Sequence, residues 1–186
     1  VIDERSLDGT GFAQFGDCRR FRYRLQRELT PGAFSRPYEE SHAVVFVMLN
    51  PSTADAFNVD PTVRRCINFA RRFGGDVLEV VNLFALRSPC PKDLYAAAKR
   101  AEPIGADLTN DDAISKACED WGAATVFAAW GNHGALQDRG EAIIDLLQHL
   151  GKQVNALRVT ESGLPMHPLA RGKHYIPDDV APVQIA

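Results

Sequence analysis

Three polar side chains stand where a protein could do chemistry: Asn50, Asn82 and His167. Asn50 follows the apolar run Ala43 to Leu49 and precedes Pro51-Ser52, Asn82 ends the run Val80-Val81, and His167 sits in Pro165-Met166-His167-Pro168. A carboxamide offers an acceptor oxygen and two donor hydrogens, so either Asn could orient a water or read the edge of a ring in paired contacts. An imidazole can hold or release a proton near neutral pH. Each residue also has a plainer role open to it. Asn before Pro initiates turns, Asn at a strand end can cap it, and His between prolines suits a surface loop.

These residues can cooperate only if the fold brings them to one edge. Ala43 to Leu49, Val77 to Phe84 and Ala124 to Trp130 are almost continuously apolar, the pattern of strands covered on both faces in a mainly parallel sheet. Between them the sequence predicts helices. Asp60-Pro61 is a helix start, with Val63, Ile67 and Ala70 along one face, and Gly74-Gly75 is its stop. Pro91 to Arg100 reads as a short helix, a further one is capped at Thr109 or Asn110 and ends near Trp121-Gly122, and Ala135 to Leu150 carries Ile143, Leu146, Leu147 and Leu150 at helical spacing. Ala156 to Thr160 reads as a last strand. Arg20 to Leu29 alternates Phe21, Tyr23 and Leu25 with Arg22, Arg24 and Gln26, the period of a half-buried N-terminal edge strand or hairpin.

Strands alternating with helices imply a three-layer α/β/α domain spanning 1–186, whose ligand site lies beyond the carboxyl ends of the strands. Asn50, Asn82 and Gly131-Asn132-His133 all fall at that edge. With 186 residues and 45% hydrophobic content the chain is long enough for one full core. A net charge of -3 supplies no global attraction to nucleic acid, so such a contact would need a local basic surface. The four cysteines, Cys18, Cys66, Cys90 and Cys118, form no CxxC pair and suggest reduced thiols in a cytoplasmic protein. Asp55, Asp60, Asp111, Asp112 and Glu161 match no metal or carboxylate-dyad pattern, and no Gly-rich phosphate loop follows a strand, so no metal or cofactor is expected. No apolar run reaches the roughly 20 residues of a membrane span, and the first residues do not form a secretory signal.

Together the segments resemble the uracil-DNA glycosylase superfamily, and the whole chain resembles the family called domain of unknown function 1643. One glycosylase branch opens with Gly-x-Asn-Pro-Gly, and Met48-Leu49-Asn50-Pro51-Ser52 keeps its Asn-Pro without the two glycines. Val81-Asn82-Leu83 through Arg87-Ser88-Pro89 is similar to a middle segment running from Asn toward Arg-Pro. Ala129-Trp130-Gly131 is similar to a strand ending in Trp-Gly, and His167-Pro168-Leu169 to a late His-Pro-Ser motif.

The resemblance implies cleavage of an N-glycosidic bond, which places positive charge on the sugar and negative charge on the leaving base. On that reading Asn50 orients the water, His167 stabilises the base anion, and Asn82 reads the base edge, with Pro51 and Ser52 in the binding turn. Phe57, in the loop after Asn50, is the candidate stacking platform, whereas Phe69 belongs to the core side of its helix. Arg64, Arg65, Arg71 and Arg72 on the first helix read as a solvated face. Arg65, Arg171 and Lys173 nevertheless stand near the presumed ligand edge, where phosphates would be held, and Leu169 is the apolar residue placed to fill a vacated base stack. The partner would be DNA or a free nucleotide. Two rivals remain: a binding module that keeps the pocket without catalysis, and an unrelated small-molecule enzyme on a similar sheet.

Overall fold

The computed structural model describes all residues 1–186 as a mixed α/β structure with an eight-stranded sheet and four helices. In chain order the strands are β1 (Ile2–Arg5), β2 (Gly11–Phe15), β3 (Arg22–Glu28), β4 (His42–Met48), β5 (Val77–Asn82), β6 (Ala123–Ala128), β7 (Val154–Ala156) and β8 (Val183–Gln184). The helices are α1 (Pro61–Arg72), α2 (Pro91–Lys99), α3 (Leu108–Glu119) and α4 (Arg139–His149). The strands lie in the order β1-β2-β3-β5-β4-β6-β7-β8.

The expectation of a mainly parallel sheet is corrected. Only β5-β4, β4-β6 and β6-β7 pair in parallel. The other four pairings, β1-β2, β2-β3, β3-β5 and β7-β8, are antiparallel. The parallel pairs involve the strands joined by helical crossovers. Of the antiparallel ones, β1-β2 and β2-β3 come from short connections at the N-terminus, β3-β5 from the docking of that meander on β5, and β7-β8 from the chain end folding back, and β1 and β8 are short in the sequence. The predicted N-terminal edge strand or hairpin is β3, which pairs with β2 as a hairpin and is the inner member of a three-stranded meander rather than an edge.

Alternation divides the apolar side chains of the parallel strands between two cores. On one face Val44, Phe46, Leu78, Val80 and Phe127 pack with Val63, Cys66, Phe69 and Ala70 of α1. On the other Val45, Val47, Val81 and Val126 pack with Leu94 of α2, Ile114 and Cys118 of α3, and Ile143 and Leu147 of α4. Coverage on both faces explains why every residue of β5 is buried.

The helix starts follow capping chemistry. The Asp60 carboxylate accepts the Val63 N–H at 2.8 Å, with Pro61 at the first helical position. At α3 the cap is Asp107, accepting from Asn110 N–H at 3.0 Å, two residues before Thr109 and three before Asn110, the expected caps. Residues 131–138, read as partly helical, form 3-10 turns interrupted at Leu136 and Gln137, so α4 begins only at Arg139. The last predicted strand is displaced, since β7 is Val154–Ala156 and Val159 makes only an isolated bridge with Pro165. No helix is long and apolar enough to cross a membrane.

Strand β4 is flanked by β5 on one side and β6 on the other. The crossover after β4 runs to β5 on one side and the crossover after β5 runs back to β6 on the other, and this reversal opens a crevice at the carboxyl ends of these strands.

Candidate functional site

A cleft of about 570 Å³ occupies that crevice, within the size range of small-molecule sites. Asn50, Asn82 and His167 all line it. Register explains the first two: Asn82 pairs with Met48 across β5 and β4, and the Leu83 and Phe84 N–H groups donate to the Met48 and Leu49 carbonyls at 2.8 and 3.0 Å. Asn50 therefore leaves β4 beside the end of β5.

The Asn50 amide nitrogen donates to the carbonyls of Ser88 (2.9 Å), Pro51 (3.1 Å) and Leu86 (3.3 Å). It ties the turn after β4 to the segment after β5, a wider role than a local turn former. With both amide hydrogens committed, Oδ1 is the atom left to accept a hydrogen bond from a ligand or water. Asn82 is 1% exposed, and neither its Oδ1 nor its Nδ2 has a protein partner. The side chain caps nothing. Its own carbonyl is held by Asn110 Nδ2 at 3.0 Å, which fixes the backbone beneath it. A buried carboxamide left unbonded costs on the order of 1 to 3 kcal/mol, a cost that a ligand offering a donor and an acceptor removes.

His167 reaches the cleft because its loop is bonded to neighbouring elements on several sides. Gly131 N–H donates to the Pro165 carbonyl at 3.0 Å, Met166 N–H to Arg158 at 2.8 Å, and Ala170 N–H to His167 at 2.9 Å. Gly131 makes this join at φ 71°, a left-handed turn that glycine adopts without strain. Leu169 N–H donates to His167 Nδ1 at 3.1 Å, so the neutral ring carries its proton on Nε2 and offers that N–H as a donor. Burial lowers the imidazole pKa below its ordinary 6.5, an effect partly offset by the charge of Asp60. Protonating Nδ1 would also forfeit the bond from Leu169.

The remaining expectations divide. Ser52 and Arg171 line the cleft, Arg171 as an exposed rim residue. Pro51 is buried behind it, its carbonyl accepting from Ser88 N–H at 2.8 Å. Phe57 does not line it and is 56% exposed, because Asp55 accepts the Phe57 and Asn58 N–H groups and turns the loop outward. Arg65 is also outside: it pairs with Asp178 and the Ile176 carbonyl and lies over the rings of Phe69 and Tyr175. Lys173 is exposed and Leu169 half-buried, and neither borders the cleft. Phe69 is core, as read. No group of three or more His, Cys, Asp or Glu residues is arranged to hold a metal ion.

The sequence reading passed over three residues that border the cleft. Trp130 is 3% exposed, its ring packed so closely on Gly134 that a Cβ there would lie 2.1 Å from it. Asp60, read as a helix cap, also faces the cleft. Arg22, placed on the outward side of β3, is 2% exposed and lines the cleft. The alternation of β3 signalled a half-buried strand, and nothing local told that Arg22 turns inward.

No curated protein and no solved structure matches the chain. A family match covers residues 22–169, from the first residue of β3 to just past His167, and so takes in Asn50, Asn82 and His167. The chain belongs to that family, described as a protein of unknown function, DUF1643.

Proposed function

We propose that the chain is a nucleobase-recognising hydrolase that cleaves an N-glycosidic bond of a nucleotide or nucleic acid, on a fold of the uracil-DNA glycosylase kind. The Asn82 carboxamide carries this reading. A buried acceptor and donor pair, unbonded in the protein and bordering a cleft of nucleoside size, complements a pyrimidine or purine edge. Asn50 Oδ1 accepts a hydrogen bond from the water that attacks the anomeric carbon, and the proton this water loses passes to solvent. The carbon–nitrogen bond breaks with its electron pair going to the base, and His167 Nε2–H donates to the resulting anion. The parallel strands β5-β4-β6-β7 and the motif order support the fold assignment.

A binding role without hydrolysis is favoured by one observation. Met48 and Ser52 line the cleft at the two positions where the resembled motif has glycine, and they take up space beside Asn50. Both readings meet one experiment. The protein is incubated with free nucleotides and with single-stranded and duplex oligonucleotides carrying damaged or hypermodified bases, and free base and abasic sites are measured by mass. Base release supports hydrolysis, and saturable binding without release supports the module. Neither outcome with any member of the panel contradicts both.

A further inference from the structure

Four arginines are buried, and they differ in what answers their charge. Arg24 pairs with Glu79 and Asp120, and Arg139 with Asp111. Arg27 donates to the carbonyls of Gln26, Asp55 and Asn58. Arg22, the most buried at 2% exposure, makes a single side-chain bond, Nη1 to the Ala54 carbonyl at 2.8 Å, and its Nε has no partner. It alone of the four lines the cleft.

Its surroundings repeat the pattern. Arg87 Nε is also buried without a partner. The Arg87 guanidinium borders a hollow of about 310 Å³ that shares Ser52, Ser88 and Pro89 with the main cleft and adds Thr53. The Ser88 hydroxyl is committed to Asp93 at 2.6 Å and the Cys90 carbonyl at 3.0 Å, while those of Ser52 and Thr53 engage no protein group. Two carboxylates act on Arg22, Asp60 and Asp55, and neither forms an ion pair with it. Asp55 is taken up by Phe57 and Asn58, and Asp60 caps α1. Burial and the charges of Arg87 and Arg27 lower the Arg22 pKa, to about 9, which leaves it cationic at neutral pH. A buried cation with so little compensation is costly, and an incoming anion relieves that cost.

We propose that Arg22 and Arg87, with the Ser52 and Thr53 hydroxyls, form a phosphate subsite opening into the cleft, so that the substrate is a nucleotide rather than a nucleoside or free base. The nucleotide part rests on the base-recognition reading, whereas the anion part stands on the arginines alone. The shared chemistry is a phosphate ester, supplied by a free mononucleotide or by a strand.

The test titrates the protein with inorganic phosphate by calorimetry, then with matched nucleosides, nucleoside monophosphates and single-stranded oligonucleotides. Phosphate should bind, and the monophosphate should bind about 10-fold or more tighter than its nucleoside, the equivalent of one charge-assisted contact. Arg22→Met should remove both effects. Because Arg22 also holds Ala54, Arg87→Gln is run beside it and should weaken phosphate binding without touching that bond. An oligonucleotide preferred over every monophosphate assigns the phosphate to a strand, and the reverse assigns it to a free nucleotide. The proposal is overturned if wild-type protein does not bind phosphate, if both variants bind it unchanged, or if nucleoside and nucleotide bind alike. Phosphate binding at these residues without release of any base would leave the subsite standing and count against hydrolysis.

Discussion

Arg22 and Arg24 are next-but-one neighbours on β3, both buried, and they meet opposite surroundings. Arg24 joins a closed network: its guanidinium spans both Glu79 oxygens at 3.0 Å and reaches Asp120 at 2.7 Å, while Gln26 and Trp121 also donate to Glu79. At the cleft, Arg22 Nε and both polar atoms of Asn82 have no protein partner. The adjoining strands β3 and β5 thus carry a polar cluster satisfied from within and a polar surface left to be satisfied from outside. Buried polar groups are bonded almost without exception in folded proteins, so the contrast separates groups that hold the fold from groups that face a ligand.

The largest expected effect lies in the closed network. Glu79→Ala leaves the Arg24 guanidinium buried with only Asp120 beside it, and should cost about 3 to 5 kcal/mol of stability, read by chemical denaturation. A loss below about 1 kcal/mol would mean that the network does not hold the fold, and the contrast would weaken.

On the open side the effects should fall on function. Asn50→Ala and His167→Ala should each lower turnover of a cleaved substrate by about 100-fold or more, close to 3 kcal/mol of transition-state stabilisation. Asn50→Asp should retain part of this, because it keeps the acceptor oxygen while losing the amide bonds to residues 86 and 88. Turnover unchanged in both alanine variants would remove these residues from the chemistry.

Smaller still is the predicted stability change in Asn82→Leu, which removes two unbonded polar atoms and leaves a residue of similar volume. It should shift stability by less than about 1 kcal/mol in either direction while abolishing discrimination between bases. Destabilisation on the scale expected for Glu79→Ala would show that Asn82 is structural.

The smallest effect is the pH response of His167. Its pKa is lowered by burial, so between that value and 6.5 the unfolded chain binds a proton that the folded chain does not. Its contribution to stability is complete above pH 6.5 and is lost as pH falls through the folded pKa. Comparing the pH dependence of melting in wild-type protein and His167→Gln isolates this contribution, and identical profiles would show that the ring is not desolvated.

The parallel strands were legible because their apolar runs are long and nearly unbroken, and α1 because Asp60-Pro61 and Gly74-Gly75 punctuate it. Strand β1 was not, since Ile2-Asp3-Glu4-Arg5 is short, polar and at an edge. Strand β3 misled in a specific way: its alternation placed Arg22 and Arg24 outward, but their partners come from distant segments, Asp120 being 96 positions away from Arg24. The placement of Asn50, Asn82 and His167 at the cleft was legible because each ends an apolar run or adjoins a proline. Arg65 and Lys173 were placed at the ligand edge by charge alone, and charge does not tell which way a long side chain reaches; Arg65 folds onto Asp178.

The most direct test of base recognition is NMR of protein labelled with nitrogen-15 at asparagine, following the Asn82 side-chain NH₂ while bases and nucleotides are added. The account predicts that a recognised base shifts this pair of signals and slows its hydrogen exchange, with no such change for Asn58, whose amide bonds Asp55. Saturating binding that leaves the Asn82 signals unmoved would contradict it.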